Sequence, residues 1–119
     1  MEKWAVIPVI PGTDHIAGKI GNEYGKIVLL YVVDSSLNLP TATMGTEIKK
    51  AEDRIENIKA QLAQKNITTK DYIEWGTWED KLKAIMHLEQ CDEILITKEL
   101  LTTHLVKRLK KNKMNVVTI

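Results

Sequence analysis

The stretch that decides the fold is Trp4-Ala5-Val6-Ile7-Pro8-Val9-Ile10-Pro11-Gly12-Thr13. It is a short apolar run that ends in a Pro/Gly turn and leads into residues with helical spacing. Further apolar runs lie at 26–33, at 93–97 and at the C-terminal end, with helical patterns between them. Strands that alternate with helices of this size predict an α/β fold, with a mostly parallel sheet covered by helices on both faces. Ligands of such folds bind at the carboxyl ends of the strands.

The composition excludes several classes of protein. The chain has 119 residues, which favours one domain spanning 1–119, and its net charge of +1 gives no general attraction to nucleic acid or membranes. The single cysteine, Cys91, excludes an intramolecular disulfide and favours a reducing compartment. No apolar run approaches the roughly 20 residues of a membrane span, and the N-terminus shows no signal-peptide pattern. We therefore expect a cytoplasmic protein with no membrane partner.

The alternating patterns predict five strands and four helices. Strands are expected at 4–9, 26–33, 71–75, 93–97 and 114–119. Helices are expected at 13–24, 46–65, 79–90 and 100–111. The second helix has the clearest apolar stripe, formed by Ile48, Ala51, Ile55, Ile58 and Leu62. Gly25 is placed to end the first helix, and 34–45 is the longest predicted loop.

Four segments resemble, in order, those of the universal stress protein family. Ile7-Pro8-Val9 followed by Gly12-Thr13 is similar to the family's opening, and 27–34 is similar to its second strand, which ends in valine-valine-aspartate. Glu74-Trp75-Gly76 resembles the glycine after the third strand, and 91–96 resembles the start of the fourth. The resemblance covers nearly the whole chain. It implies a doubly wound sheet with strand order 3-2-1-4-5 and a homodimer formed through the last strand.

Two departures from the family pattern concern ATP. Members that bind ATP have an aspartate at the end of the first strand, where this chain has Ile10 and Pro11. They also have a glycine-rich stretch after the fourth strand, where backbone N–H groups approach phosphates closely. This chain has Thr97-Lys98-Glu99-Leu100 there, and no glycine follows Gly76. We therefore expect no cofactor and no ATP binding of the usual kind.

Residues at the predicted strand ends are candidates for an altered ligand site. Gly12 and Thr13 stand at a strand-to-helix turn, where backbone N–H groups could hold an anion, although a simple turn with a capping residue is favoured. Asp34 ends the second strand and could contact a ligand, although a solvated strand end is the simpler interpretation. Thr97 and Lys98 follow the fourth strand, and Lys98 could replace the missing glycines with charge.

Catalytic and metal-binding patterns are missing from the sequence. His15, His87 and His104 fall on three different predicted helices, without the spacing of metal ligands. Cys91 lies beside Asp92, whose charge would raise the pKa of the thiol, so Cys91 is predicted to be a packed core residue. No nucleophile–base pair follows from spacing alone. An enzyme is therefore the least favoured interpretation.

One basic cluster lies near the C-terminal end, at Lys107, Arg108, Lys110, Lys111 and Lys113. Cations near the end of a helix offset its dipole, so a solvated helix end is favoured over a contact with RNA or an acidic partner. Aromatic residues do not interleave with these cations, which argues against single-strand binding. Nucleic acid is therefore not the expected partner.

The last strand, Asn115-Val116-Val117-Thr118-Ile119, is predicted to be a sheet edge that pairs with a second copy of the chain. The first hypothesis for function is accordingly a non-catalytic, universal-stress-like domain acting in the stress response as a homodimer, with a protein partner left open. The alternative is a sensor of a nucleotide or other anion that uses Gly12, Thr13, Asp34, Thr97 and Lys98. An ATP-hydrolysing enzyme ranks last.

Overall fold

The structure is a computed structural model that describes residues 2–34 and 41–119, without the side chains of 41–44. The described strands are β1 (Lys3–Pro8), β2 (Tyr24–Asp34), β3 (Thr68–Gly76), β4 (Glu93–Ile96) and β5 (Val116–Thr118). The described α-helices are α1 (Thr41–Ala63), α2 (Trp78–Glu89) and α3 (His104–Lys111). Two 3-10 turns, Ile16–Lys19 and Lys98–Leu100, complete these elements.

All four strand pairs are parallel, and the order is β3-β2-β1-β4-β5, as predicted. The central strand β1 pairs with β2 along its whole length and with β4 through Ala5 and Val6. The chain leaves β1 towards one edge and later returns to β4 on its other side. The carboxyl ends of β1 and β4 therefore form the switch point at which ligands of doubly wound sheets bind.

Alternating side chains of the sheet build a core on each face. Ala5, Ile7, Ile27 and Leu29 face α1 and the first 3-10 turn, whereas Val6, Val28 and Leu30 face α2 and α3. The predicted stripe of the long helix is confirmed for Ala51, Ile55, Ile58 and Leu62, which are all buried, whereas its first member, Ile48, is only half-buried. Each large side chain removed from water in this way stabilises the fold by roughly 1.5–3 kcal/mol.

The predicted first helix at 13–24 is wrong. Only the 3-10 turn Ile16–Lys19 forms there, and β2 already begins at Tyr24. Gly25 therefore lies inside β2 and does not end a helix. Gly18 and Gly21 explain the difference, since each glycine costs a helix about 1 kcal/mol relative to alanine.

The end of α1 supports this short turn. Nζ of Lys65 donates hydrogen bonds to the carbonyl oxygens of Ala17, at 2.6 Å, and Ile20, at 2.8 Å. These contacts satisfy carbonyl groups that a full helix would have bonded internally. The segment between β1 and β2 is thus held in place by the ammonium group of Lys65, which lies just after α1.

Two further boundaries differ from the predicted ones. Helix α1 begins at Thr41, so 34–45 is not one loop; the part of that prediction at 35–40 lies outside the described residues. The sequence does not predict this start of the helix, because Gly45 lies within its first turns and glycine is a poor helix former. The last helix begins at His104, after the 3-10 turn Lys98–Leu100, where a helix from residue 100 was predicted.

Candidate functional site

The turn after β1 is tight and lies against the connection between β4 and α3. Gly12 has a φ of +102°, and a Cβ atom placed on it would lie 2.9 Å from Cδ2 of Leu100. Thr13 is fully buried, and its hydroxyl donates to the carbonyl of Ile10 at 2.8 Å. The Thr13 side chain is therefore engaged within the turn.

Leu100 fills the space at the switch point. Its backbone N–H donates to the carbonyl of Thr97 at 3.0 Å, which closes the 3-10 turn immediately after β4. This turn brings the Leu100 side chain into an apolar cluster with Ile96 and Val106, where it is only 3% exposed. A hydrocarbon side chain thus occupies the place where backbone N–H groups would have to approach a phosphate.

Thr97 and Lys98 lie beside this cluster in different environments. Thr97 is buried, and its hydroxyl lies beside the carboxylate of Glu99, whose pKa is lowered first by its own backbone N–H and then by this hydroxyl. Lys98 is exposed. The Thr97 hydroxyl therefore already has a carboxylate beside it and gives no sign of a missing ligand.

Asp34 belongs to a different cluster, formed with α2 and α3. Its carboxylate is buried, and Oδ2 accepts hydrogen bonds from the backbone N–H of Trp78, at 3.2 Å, and from Nη2 of Arg108, at 3.4 Å. The expectation of a solvated strand end is therefore wrong. The sequence predicts that Asp34 lies at the end of β2, but it does not predict that Arg108 contacts it.

Arg108 joins Asp34 to a second carboxylate. Its Nη2 lies 2.7 Å from Oε1 of Glu79 and donates a hydrogen bond to Oε2 at 2.9 Å, and this hydrogen bond raises the pKa of Arg108. Arg108 was predicted as part of a solvated basic cluster, and for this residue the prediction is wrong. Asp34, Glu79 and Arg108 together connect the start of α2 to β2 and α3.

A polar cluster at the opposite end of the sheet is absent from the sequence-based predictions. Glu89 is only 5% exposed and accepts from Nζ of Lys26 at 2.5 Å, from Nζ of Lys70 at 2.9 Å and from the hydroxyl of Tyr72. These hydrogen bonds, first that of Lys26, lower the pKa of Glu89 to about 2. One signal was visible in the sequence, because Glu89 follows Ile85 by four positions on the apolar face of α2.

The cysteine and the histidine and acidic side chains that could react or bind a metal do not form a common site in the described part of the chain. Cys91 is buried in the core as predicted, and burial raises the pKa of its thiol to about 11, so it carries no reactive thiolate at neutral pH. Over the described ranges 2–34 and 41–119, no three or more histidine, cysteine or acidic side chains converge on a place for a metal ion. Within the same ranges, no helix has the length and apolar character to cross a membrane.

Surface depressions do not coincide with the five predicted ligand residues. Two, each of about 320 Å³, are formed largely by the outer side of α1, and a third, of about 450 Å³, lies beside Cys91 at the end of α2. None of these three is lined by Gly12, Thr13, Asp34, Thr97 or Lys98. The structure brings Gly12 and Thr13 close to the turn after Thr97 and places Asp34 in a separate ion cluster.

Comparison with solved structures defines the class of fold. The chain is similar to the hypothetical protein MJ0577, with a TM-score of 0.73 and 20% identity over 100% of this chain and 96% of that one. It is also similar to a protein of the universal stress protein family from Burkholderia pseudomallei, with a TM-score of 0.65 and 15% identity over 96% of this chain and 94% of that one. A universal stress protein in complex with cAMP matches with a TM-score of 0.56 and 15% identity, over 99% and 96% of the two chains.

These likenesses cover between 96% and 100% of this chain. The chain has the fold of the universal stress proteins, which here is a five-stranded parallel sheet with strand order 3-2-1-4-5 and helices on both faces. No protein-family profile matches the sequence, and no curated protein sequence is a significant match.

Proposed function

We propose that this chain is a divergent universal stress protein that acts without catalysis, as a homodimeric regulatory domain of the stress response. The likeness of fold over the whole chain supports this proposal. The observation that carries it is the filled switch point, where Leu100 lies against Gly12. A domain whose ligand position is occupied by its own side chain is better suited to recognising proteins than to turning over a nucleotide.

The residues present do not fit ATP bound in the family's usual way. Phosphates bind where several backbone N–H groups are uncovered, which requires glycine or an open helix N-terminus. The connection after β4 instead closes as a 3-10 turn, and its Leu100 is buried in the cluster with Ile96 and Val106. The exposed carboxylate of Glu99 lies in this same turn and would repel a triphosphate.

The two edges of the sheet differ in a way that favours dimerisation through β5. Strand β3 carries Lys70, Asp71 and Glu74, and charges of this kind protect an edge from pairing with another chain. Strand β5 has no charged residue, and Val117 and Ile119 remain only half-buried on the face that the short first connection covers. A second copy of β5 would cover both the open edge and these two side chains.

The register identifies which backbone groups of β5 are available. The carbonyl of Asn115 accepts from the N–H of Ile94, and the N–H of Ile119 donates to the carbonyl of Ile96, so these odd-numbered positions face β4. Backbone groups alternate in direction along a strand. Those of Val116 and Thr118 therefore do not point at β4; the N–H of Val116 donates to the carbonyl of Met114 at 3.0 Å, so the carbonyl of Val116 and both groups of Thr118 are the ones that face a partner strand.

The decisive test is the oligomeric state of Thr118→Pro. Proline at this position removes an outward N–H without breaking a bond to β4, and Thr118→Ser is the matched control that keeps the donor. Sedimentation over a range of protein concentrations should show a dimer for the wild type and for Thr118→Ser, and a monomer for Thr118→Pro. A wild-type protein that stays monomeric at high concentration would contradict the proposed dimer.

The alternative, a sensor of a small anionic ligand, rests on the buried hydroxyl of Thr97 and the exposed Lys98, which follow β4 at the carboxyl edge of the sheet. One protein of this fold is a universal stress protein in complex with cAMP. A ligand that binds the folded state raises the melting temperature by mass action. Titration with ATP, AMP and cAMP should leave the melting temperature unchanged if Leu100 fills the site. A saturating rise that is lost in Lys98→Gln would favour the sensor instead.

A further inference from the structure

The exposed side of α3 and the residues just after it carry lysines that form no ion pair with the described part of the chain. We define the α3 lysine face as Lys107, Lys110, Lys111 and Lys113, all of which are exposed. None of these four lysines forms an ion pair with any residue that the structure describes. Some lysines elsewhere form such pairs, as Lys26 does with Glu89 and Lys59 with Asp71, whereas others, such as Lys19 and Lys83, are exposed and have no such pair with a described residue. The α3 lysine face is therefore set apart by the grouping of four exposed cations within 107–113, and not by the lack of ion pairs alone.

The charges of the chain are separated along its sequence. The overall net charge is only +1, yet no acidic residue follows Glu99. Acidic residues are instead dense in the segment 71–93, which ends at the first residue of β4 and includes Glu79 and Glu89, the partners of Arg108 and Lys26 there; the other partner of Arg108, Asp34, lies in β2. Because opposite charges do not interleave on α3, its positive potential is not cancelled locally.

The helix dipole explains only part of this face. Lys110 and Lys111 lie in the last turn of α3, where cations stabilise the helix. Lys107 lies one turn closer to the N-terminus, where the same dipole gives a cation no benefit. The fourth member, Lys113, lies beyond the helix end at a φ of +59°. A role in stabilising α3 therefore does not account for the whole face.

The sequence alone favours a solvated helix end here, but the grouping of exposed lysines in the structure leads us to propose that the α3 lysine face binds the phosphate backbone of duplex nucleic acid without reading its sequence. The helix rises about 6 Å from Lys107 to Lys111, and a duplex carries one charge per roughly 1.7 Å of its axis, so one turn of α3 meets several phosphates. Lysine is a point charge suited to phosphate contacts. This proposal is independent of the dimer, since all four lysines belong to one chain.

The neighbouring residues exclude base recognition and stacking. The arginine of α3, Arg108, is engaged by Asp34 and Glu79, so it is not available for a bidentate contact with a guanine. No aromatic residue occurs between Glu93 and Ile119, which leaves no platform on this face for unstacked bases. The expected binding is therefore to the double-stranded backbone.

Other anionic partners fit this face less well. An anionic membrane surface is bound by helices that insert an apolar side, but Val106 and Leu109 of α3 are buried in the protein core. Protein interfaces have an apolar centre and are depleted in lysine. A face made of lysines without exposed apolar neighbours matches a regular polyanion better than an acidic protein.

The test is the fluorescence anisotropy of a short labelled DNA duplex of mixed sequence, titrated with the intact protein over a series of salt concentrations. Four phosphate contacts predict that log K falls with log salt with a slope of about −3.6. The variant Lys107→Gln/Lys110→Gln/Lys111→Gln keeps one contact, so its slope should fall to about −0.9 and its affinity at low salt should drop more than tenfold.

The control Lys19→Gln/Lys49→Gln/Lys83→Gln removes the same net charge from exposed positions on three other elements. It should bind nearly as the wild type does. Equal loss in both triple variants, or no binding by the wild type at low salt, would overturn the proposal. Preference for the single strand over the duplex, or equal binding to polyglutamate, would also contradict it. Sedimentation of each variant without DNA separates these outcomes from a failure of the proposed dimer.

Discussion

Two buried carboxylates lie at opposite ends of the same helix and are neutralised in different ways. Asp34 meets the start of α2, where its carboxylate accepts the backbone N–H of Trp78 and shares Arg108 with Glu79. Glu89 lies in the last turn of α2, where it accepts from Lys26, Lys70 and Tyr72. The helix dipole favours an anion at the first position and opposes one at the second. Among the described residues, Glu89 accordingly contacts two cations, Lys26 and Lys70, where Asp34 contacts Arg108.

The largest effect is expected from Glu89→Ala. Removal of this carboxylate leaves Lys26 partly buried without its anion, and the hydroxyl of Tyr72 loses its acceptor. Breaking a buried pair in this way should lower the free energy of unfolding by about 3 kcal/mol, measured by urea denaturation. Glu89→Gln keeps an acceptor for Tyr72 and should lose less. A free energy within about 0.5 kcal/mol of the wild type for Glu89→Ala would mean that the cluster contributes nothing net to stability.

Acid unfolding sharpens the same comparison. The pKa of Glu89 is lowered in the folded state to about 2 from an ordinary value of 4.5. A lowered folded-state pKa gives stability that is fully present above the unfolded pKa and is lost as the pH falls through the folded one. The difference in stability between the wild type and Glu89→Gln should therefore be constant near neutral pH and shrink between pH 4.5 and about 2. An unchanged difference across this window would contradict the ion pairing of Glu89.

A smaller effect is expected from Asp34→Asn. The amide oxygen can still accept from the N–H of Trp78, and Arg108 keeps its contact with Glu79. We expect a loss of about 1 kcal/mol in the same urea experiment, because one charged partner of Arg108 is removed and the other remains. Asp80→Asn, at an exposed position in the same first turn of α2, is the control and should change stability little. A loss at Asp34 as large as that of Glu89→Ala would overturn the contrast between the two helix ends.

Much of the fold could be predicted from the sequence, because strands and helices depend on the local spacing of apolar residues and on the turn residues that separate them. The strand order and the buried stripe of α1 followed from the apolar runs and from resemblance to a family. The first helix could not be predicted correctly, since the glycines at 18 and 21 compete with apolar spacing and the deciding contact comes from Lys65. A short turn stabilised by a distant side chain leaves no local signal.

The candidate site was less predictable because its residues act over long separations. Gly12 and Leu100 meet across most of the chain, and nothing in the spacing of either indicates the contact. Asp34 was correctly placed at a strand end, but its partner Arg108 was assigned to a solvated cluster. The fate of a charged residue at the end of a strand depends on which helix packs beside it, and this is a property of the tertiary structure.

The smallest effect is expected from Lys70→Gln, and it tests whether the two lysines of Glu89 are equivalent. The Lys70 side chain is 55% exposed, whereas that of Lys26 is 21% exposed and lies over the ring of Trp4 at 5.1 Å. An exposed ion pair is screened by water and contributes little, so Lys70→Gln should shift the melting temperature by no more than about 2 °C. The matched change Lys26→Gln should shift it several times further, because Lys26 is the less solvated partner; ring contacts do not distinguish the two, since Lys70 also lies over a ring, that of Tyr72, at 5.6 Å. Equal shifts would show that Glu89 responds to the number of cations around it and not to their burial.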